Sequence, residues 1–251
     1  MPAGVPIFVY HSIDESGSPI SVSPRRFRAQ MADLARRGHA TLSIDQLAAL
    51  AAGRLTWPER AVALIFDDAL ETIRTDAHAV LESFGFCASV AVVTSRVGLD
   101  NAWPGQPAEI PRFRVLDWSE LADLGDAGWG IISHTHTHAA LDRVTPDQLQ
   151  AEMDTSIDLL VQHLDRRPLA IAYPYGIEPT GSLEPVAARF AIALGGGNRP
   201  LRPDDGPMRW PRIESRYYLP ALPCCRPGGA GFGPYLGIRH RLRSLARGGG
   251  R

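Results

Sequence analysis

The sequence predicts one α/β domain in which a barrel of parallel strands is surrounded by helices. Short, nearly continuous apolar runs alternate with amphipathic helical stretches along most of the chain. Helices between consecutive strands imply parallel pairing through right-handed crossovers, and continuous apolar strands are typical of a sheet that helices cover. About seven such repeats in 251 residues, 45% of them apolar, favour a barrel over a doubly wound sheet.

Each element follows from its local pattern. The predicted strands are Ile7–Tyr10, Ala40–Ser43, Ala61–Phe66, Ala88–Val93, Trp129–Ser133, Leu169–Tyr173 and the weaker Phe190–Leu194. The predicted helices are Pro24–Arg37, Ile44–Ala52, Thr72–Phe84, Trp118–Ala127, Pro146–Leu164 and Leu183–Arg189. Ser23, Ser43 and Thr145 each precede one of these helices and are preferred N-cap residues. The segment Val97–Leu116, rich in Pro, Gly and Asn, is predicted to be a long loop, and loops of that length are often functional.

Composition and charge limit the class of protein. The chain has 26 basic and 27 acidic residues, and this balance argues against a nucleic-acid-binding surface. No apolar stretch reaches the roughly 18 residues that span a bilayer, and the first ten residues lack the features of a signal peptide, so we expect a cytoplasmic protein. Cys224 and Cys225 have no second cysteine pair to complete a zinc site, and the basic end Arg239–Arg251 is expected to be solvated and mobile.

Chemically capable residues lie directly after four predicted strands. His11 follows the first strand, and Asp67 and Asp68 follow the third. The histidine-rich segment 134–138 and the Pro-Tyr-Gly segment 174–176 follow two later strands. Because the carboxyl ends of parallel barrel strands open onto one face, these residues are predicted to form a single site.

The adjacent carboxylates Asp67 and Asp68 stand where a run of six apolar residues ends. Neighbouring residues on an extended chain project in opposite directions. One carboxylate could therefore hold a metal while the other faces a water molecule beside it. The structural alternative is that Asp68 caps the next helix while Asp67 is merely solvated.

Three histidines within the five residues 134–138, out of eight in the chain, indicate a metal site in preference to a polar loop. A helical turn would bring His134 and His138 to one face, whereas an extended segment would align all three rings. Neutral imidazole is a common ligand of zinc and other first-row divalent ions. The flanking Ser133, Thr135 and Thr137 could hold the rings through hydrogen bonds. One carboxylate and two histidines leave coordination positions open, which is typical of a catalytic metal site.

Taken in order, these elements resemble the motifs of the polysaccharide-deacetylase family (NodB-homology, carbohydrate esterase family 4). Residues 66–69, Phe-Asp-Asp-Ala, resemble its Phe-Asp-Asp-Gly motif, and residues 133–138 resemble its second motif, in which a histidine followed by Ser or Thr precedes a second histidine. Residues 172–176, Ala-Tyr-Pro-Tyr-Gly, are similar to the third motif of a branch whose chains begin with an element like residues 10–13, Tyr-His-Ser-Ile. The resemblance implies a distorted (β/α)7 barrel with a divalent metal ion, zinc first, with cobalt, nickel or iron as alternatives.

The resemblance also implies roles for individual residues. Asp68, His134 and His138 would be the metal ligands, and Asp67 would be the general base that takes a proton from the attacking water. The backbone N–H of Tyr175 would stabilise the oxyanion together with the metal.

Two departures of this sequence from the family's motifs concern histidines. The family's late Leu-x-His motif, which supplies a general acid, is not visible, and the late His240 lies in the basic tail with no strand before it. His11, at a strand end on the predicted active face, is the better candidate for acid or substrate binding, although it could be a core histidine. The resemblance gives His136 no role as a ligand.

Two further departures concern the surroundings of the carboxylates. The arginine that precedes the third motif in many relatives is absent at its usual place, unless Arg166 or Arg167 serves. Arg212, in a late Pro-Arg-Ile element, is a candidate to reach the site and orient Asp67. Ala69 in place of glycine matters only if the backbone there has a positive φ.

The resemblance implies that the protein removes an N-acetyl group from an amino sugar in a glycan or saccharide precursor, a hydrolysis of a carbon–nitrogen bond other than a peptide bond. Trp103, Trp118 and Tyr175 are candidate substrate-binding residues, although either tryptophan could instead anchor the core or a loop. Two alternatives remain: an amidohydrolase that cleaves a small non-sugar amide with the same metal site, and an inactive carbohydrate-binding relative. We expect residues 1–214 to form the deacetylase domain and residues 215–251 to be a partly irregular, Gly/Pro/Arg-rich extension.

Overall fold

Strands and helices alternate through residues 4–229 and 231–248, which the computed structural model describes. The strands are β1 (Ile7–Tyr10), β2 (Ser12–Ile13), β3 (Ser21–Val22), β4 (Ala40–Thr41), β5 (Ala61–Phe66), β6 (Ser89–Val92), β7 (Gly130–Ser133), β8 (Ala170–Ala172), β9 (Ile192–Gly195), β10 (Trp210–Pro211) and β11 (Ile213–Glu214). The α-helices are α1 (Pro24–Arg36), α2 (Ile44–Ala51), α3 (His78–Ser83), α4 (Trp118–Asp126), α5 (Pro146–Leu164), α6 (Glu184–Ala187) and α7 (Phe232–Gly248).

Eight strands form a nearly closed barrel in the order β10-β9-β8-β7-β6-β5-β1-β11, and every pairing along this path is parallel. The two strands at its ends, β10 and β11, are separated in sequence only by Arg212. Because β10 pairs with β9 and β11 pairs with β1, this one stretch of chain joins both edges of the sheet. If β10 and β11 are counted as one continuous strand, the barrel has seven strands. This confirms the predicted distorted (β/α)7 barrel.

One of the seven strands is not the predicted one. The predicted strand Ala40–Ser43 is reduced to β4, which pairs with the first residues of β5 and lies off the barrel path. The seventh barrel strand is instead the stretch Trp210–Glu214. Pro211 and Arg212 interrupt the apolar pattern of this stretch.

Alternation along the strands divides the core in two. Residues such as Ile7, Ala63 and Ile65 fill the barrel, where Leu47 of α2 packs against them. The intervening residues, such as Phe8, Leu64 and Phe66, pack outward against α1, α3 and α4. Every residue of β5 is therefore buried, which explains its unbroken apolar sequence.

The C-terminal region contains a helix that the sequence pattern did not predict. Residues 215–229 form short turns, and α7 packs on the outside of β1. Phe232 and Leu236 are 2% and 0% exposed and belong to the same apolar cluster as Phe8. The guanidinium of Arg239, the first residue of the basic end, lies 4.7 Å from the centre of the Tyr217 ring.

Candidate metal centre and active site

The alternation of the barrel strands decides which residues reach its mouth. Ile65 points into the barrel, and Asp67, two residues later, continues that inward face. His11 after β1, His134 after β7 and Arg212 between β10 and β11 occupy equivalent positions. All four polar side chains line one cavity of about 470 Å³ at the carboxyl ends of the strands. The convergence predicted from the strand ends is therefore present.

Asp68 reaches the same cavity through a sharp turn of the backbone. Asp68 and Ala69 have φ angles of 72° and 54°, in the left-handed region that favours glycine. The backbone is not extended here, so both carboxylates face one cavity instead of opposite sides of the strand. Ala69 adopts this conformation at a cost of about 1–2 kcal/mol, and the position is therefore one where glycine would be the less strained residue.

Asp68, His134 and His138 form a group that fits a divalent metal ion. The Nε2 atoms of His134 and His138 lie 3.5 Å and 3.6 Å from Oδ1 of Asp68. Zinc bonds of about 2.0–2.2 Å would separate two ligands of one ion by roughly 3.0–3.6 Å. Oδ1 of Asp68 is buried and accepts no hydrogen bond from the described residues, as expected of an atom that serves as a metal ligand.

The two histidines are held in the state that a metal requires. Nδ1 of His134 lies 2.7 Å from the carbonyl oxygen of Ala172, which leaves Nε2 free to face Asp68. Burial lowers the pKa of His138 well below its usual range, so its ring is neutral. Burial raises the pKa of Asp68, an effect that a bound cation would oppose.

The segment between the two histidines is neither the helical turn nor the extended strand considered from the sequence. Thr135 and His138 have φ angles of 66° and 64°, which fold the segment into a tight loop. His136 points elsewhere, with Nδ1 3.0 Å from Oγ1 of Thr94. Ser133 and Thr135 hold the backbone and not the rings: their hydroxyl oxygens accept hydrogen bonds from the N–H groups of Thr135 and His138, both at 3.1 Å.

Arg212 holds Asp67 beside this group. Nη1 of Arg212 donates to both carboxylate oxygens of Asp67, at 2.7 Å and 2.8 Å, and the two side chains are each 4% exposed. Burial acts to raise the pKa of Asp67, but the charges of Arg212 and of the nearby histidines outweigh it and hold the pKa below its usual value. Of the alternative arginines, Arg166 pairs with Asp126, 2.7 Å away on the outside of the barrel.

His11 lies at the edge of the same group. Its Nε2 atom is 4.0 Å from Oδ2 of Asp67, and its side chain is 24% exposed. The ring lines the cavity and is not a core histidine.

The long loop at 97–116 and the Pro-Tyr-Gly turn bring aromatic rings to the metal group. The ring centres of Trp103 and Tyr175 lie 4.2 Å and 4.6 Å from that of His138. Trp103 is 4% exposed, whereas Tyr175 is 39% exposed at the cavity mouth. Tyr175 has a φ angle of 59°, so its turn is as sharp as the one at Asp68.

Comparison with known proteins agrees with this arrangement. The family model described as polysaccharide deacetylase matches residues 55–189, which is more than half of the chain. The chain belongs to the polysaccharide deacetylase family.

The chain matches only part of the length of two relatives in this family. The protein YxkH of Bacillus subtilis is 29% identical over 175 residues, which cover 70% of this chain and 58% of that protein. The poly-beta-1,6-N-acetyl-D-glucosamine N-deacetylase of Staphylococcus aureus is 26% identical over 148 residues, 55% of this chain and 48% of that enzyme. The chain thus spans about half the length of these relatives.

Solved structures share the fold. The deacetylase PplD of Streptococcus pyogenes, in complex with acetate, superposes with a TM-score of 0.74 at 22% identity, over 85% of this chain and 93% of that one. IcaB from Ammonifex degensii gives a TM-score of 0.73 at 21% identity, over 85% and 92% of the two chains. At such low identity the likeness supports the barrel fold alone.

One residue predicted for the deacetylase site lies elsewhere. Trp118, at the start of α4, stacks on His163 with ring centres 4.3 Å apart, and it does not line the cavity. Its prediction as a substrate-binding residue is wrong, because α4 packs on the outer face of the barrel and carries Trp118 away from the mouth.

A second wall of the cavity was not predicted from the sequence. Arg209, Glu214 and Arg216 line it from the closing stretch of the barrel, and His240 lines it from α7. His240 was set aside because no strand precedes it, but the apolar anchors of α7 carry it to the mouth.

No helix within the described residues is long and apolar enough to cross a membrane.

Proposed function

We propose that this protein is a metal-dependent N-deacetylase that hydrolyses the acetamido group of an N-acetylated amino sugar in a glycan. The observation that carries the proposal is the pairing of two units in one cavity. One is the metal-binding group of Asp68, His134 and His138. The other is the Asp67 carboxylate, which Arg212 keeps ionised 3.7 Å from His134.

A divalent ion held by Asp68, His134 and His138, with zinc as the first choice, would polarise the amide carbonyl and lower the pKa of water beside it. Asp67 is the general base: its carboxylate takes the proton of the attacking water. The ion pair with Arg212 serves this role because it orients the carboxylate and keeps it unprotonated. The backbone N–H of Tyr175 donates a hydrogen bond to the oxyanion as the carbonyl carbon becomes tetrahedral.

The departing amine needs a proton, because an amide anion is too poor a leaving group near neutral pH. His11 is the proposed donor. Its ring faces the cavity 4.0 Å from Asp67, and histidine is the side chain that most often transfers protons in general acid–base catalysis.

An amino sugar suits the rest of the cavity. Its volume of about 470 Å³ is within the usual size of a small-ligand site. Tyr175, 39% exposed at the mouth, offers aromatic surface next to the metal group, and rings of this kind pack on the apolar faces of sugars. Trp103 lines the cavity behind it, packed against His138. The activity named for the Staphylococcus aureus relative makes β-1,6-linked N-acetylglucosamine the first substrate to test.

The test is acetate release from defined N-acetylated saccharides. Purified protein would be incubated with β-1,6- and β-1,4-linked N-acetylglucosamine oligomers, before and after treatment with a chelator, and then with added Zn²⁺. We expect release that the chelator abolishes and that Zn²⁺ restores. The variant His138→Ala, which removes one ligand, is expected to be inactive under all three conditions.

Two results would contradict the proposal. Release that is insensitive to the chelator would remove the metal from the reaction. Hydrolysis of small non-sugar amides with none of the saccharides would reassign the substrate while leaving the metal centre in place.

A further inference from the structure

The loop that carries the two histidines needs support from outside itself. Thr135 and His138 both have positive φ angles, and this conformation costs a non-glycine residue about 1–3 kcal/mol. Threonine, which is branched at Cβ, is especially unsuited to it. Such a backbone persists only where neighbouring groups fix it.

The carboxylate of Glu152, on α5, provides three hydrogen bonds to this loop. Oε2 accepts from the backbone N–H groups of His136 and Thr137, at 2.9 Å and 2.8 Å. Oε1 accepts from the hydroxyl of Thr137, at 2.5 Å. Hydrogen bonds to an ionised acceptor are about twice as strong as neutral ones. One side chain therefore fixes two of the three residues between the histidines.

A second residue of α5 holds the beginning of the loop. Ser156 is four residues after Glu152 and so lies on the same face of the helix. Its Oγ atom is 2.8 Å from Oγ of Ser133, which in turn accepts the hydrogen bond from the N–H group of Thr135. Two points on one continuous helix thus determine the path of the chain from Ser133 to His138.

We propose that Glu152 is a positioning residue of the metal centre. It holds the loop so that the Nε2 atoms of His134 and His138 face Oδ1 of Asp68. Glu152 does not line the cavity and therefore takes no part in the chemistry. The inference rests on the metal centre of the proposed function but not on the identity of the substrate.

The experiment measures the affinity of the metal-free protein for Zn²⁺ by competition with a chromogenic chelator. We expect Glu152→Ala to weaken binding about 10–100-fold, the usual effect of removing a group that orients metal ligands. The Zn²⁺ affinity of Glu152→Gln should lie between that of Glu152→Ala and that of the parent, because a carboxamide oxygen can still accept hydrogen bonds from the two N–H groups. Asp158→Asn, an exposed position on the same helix, is the matched control and should bind as the parent does.

Two further measurements separate positioning from general stability. The visible absorption of the Co²⁺-substituted protein should change in Glu152→Gln, because the ligand geometry changes. The thermal unfolding of the metal-free variants shows whether they fold. If Glu152→Ala does not fold, the affinity and spectrum of Glu152→Gln decide the question.

Parent-like affinity and spectrum in the folded Glu152 variants would overturn the inference, even if their melting temperature is lower. Absence of Zn²⁺ binding by the parent would overturn both the metal centre and the proposed function. Binding of Zn²⁺ without any release of acetate would remove the proposed function alone.

Discussion

The two walls of the cavity are built in different ways. On the metal side, the carboxylates and the histidines follow strands of four to six residues that are buried almost throughout, as Asp67 follows β5 and His134 follows β7. On the C-terminal side, Glu214 and Arg216 belong to a two-residue strand and a short turn, and His240 belongs to a helix that depends on two apolar anchors. The reactive side is thus fixed by the sheet itself, whereas the opposite side depends on contacts between distant parts of the chain. We therefore expect substitutions on the metal side to affect the chemical step and those on the C-terminal side to affect binding.

The largest effect is expected from Asp67→Asn, on the metal side. The asparagine keeps the shape of the side chain but cannot take a proton, so kcat should fall by a factor on the order of 10² or more. Metal content, measured by atomic absorption, should stay at the parental level because Asp67 is not a ligand. Unchanged turnover would remove Asp67 from the mechanism, and loss of metal would make it a ligand.

Arg212 belongs to both walls, and Arg212→Met tests how firmly they are joined. Removal of the cation leaves Asp67 as a buried, unpaired carboxylate, a change that typically costs about 3–5 kcal/mol. The midpoint of urea unfolding should fall accordingly. Arg209→Met is the control, because its partner Glu178 is 47% exposed and exposed pairs contribute about 0–1 kcal/mol. Equal losses in the two variants would contradict this ranking.

The same Arg212→Met variant has a predicted pH dependence. Arg212 lowers the pKa of Asp67, so its removal raises that pKa. The base works only when it is ionised, and activity is lost as the pH falls through its pKa. The acidic limb of the profile of kcat/KM should therefore move to higher pH. A limb that stays in place would show that another group controls it.

His11→Ala tests whether the proton donor lies on the metal side. Loss of a general acid should slow amide hydrolysis by about 10² or more, but it should have much less effect on an activated acetate ester, whose leaving group needs little protonation. The measurement is kcat/KM for both substrates in the parent and the variant. Equal losses would indicate a binding role for His11.

The smallest effect is expected from Arg216→Ala, on the C-terminal side. Loss of one hydrogen bond to the saccharide would cost about 1 kcal/mol, which corresponds to about a fivefold higher KM with kcat unchanged. Arg54→Ala, an exposed substitution remote from the cavity, should change neither constant. A lower kcat in Arg216→Ala would erase the distinction between the two walls.

The same contrast explains how much the sequence could predict. The strands Ile7–Tyr10 and Ala61–Phe66 were predicted with their observed bounds, because burial on both faces leaves an unbroken apolar pattern. The stretch Trp210–Glu214 was missed because two-residue strands have no detectable period. β4 was taken for a barrel strand, although it pairs only with the first two residues of β5 and lies off the barrel path.

The position of the site was predictable from the sequence pattern, because its polar residues directly follow predicted strands. The choice of Asp68, His134 and His138 as the metal group, and the place of Arg212 beside Asp67, came instead from the resemblance to the family's motifs. The left-handed turns at Asp68 and His138 were not predicted, because residue type alone does not specify a positive φ angle at either position. Trp118 shows the converse error, since its residue type suited a sugar but its helix faces away from the cavity.

The break in the barrel at Arg212 has a consequence for the order of assembly. During synthesis Asp67 leaves the ribosome well before residue 212, and the first strands can begin to pair at that stage. The nascent chain then has most of its barrel, but Asp67 still lacks the cation that lowers its pKa in the complete fold. Docking of the last strand closes the sheet and supplies that cation in the same event. Completion of the fold and the pairing of Asp67 with its cation therefore coincide. If the proposed function holds, an unfinished chain is expected to be inactive.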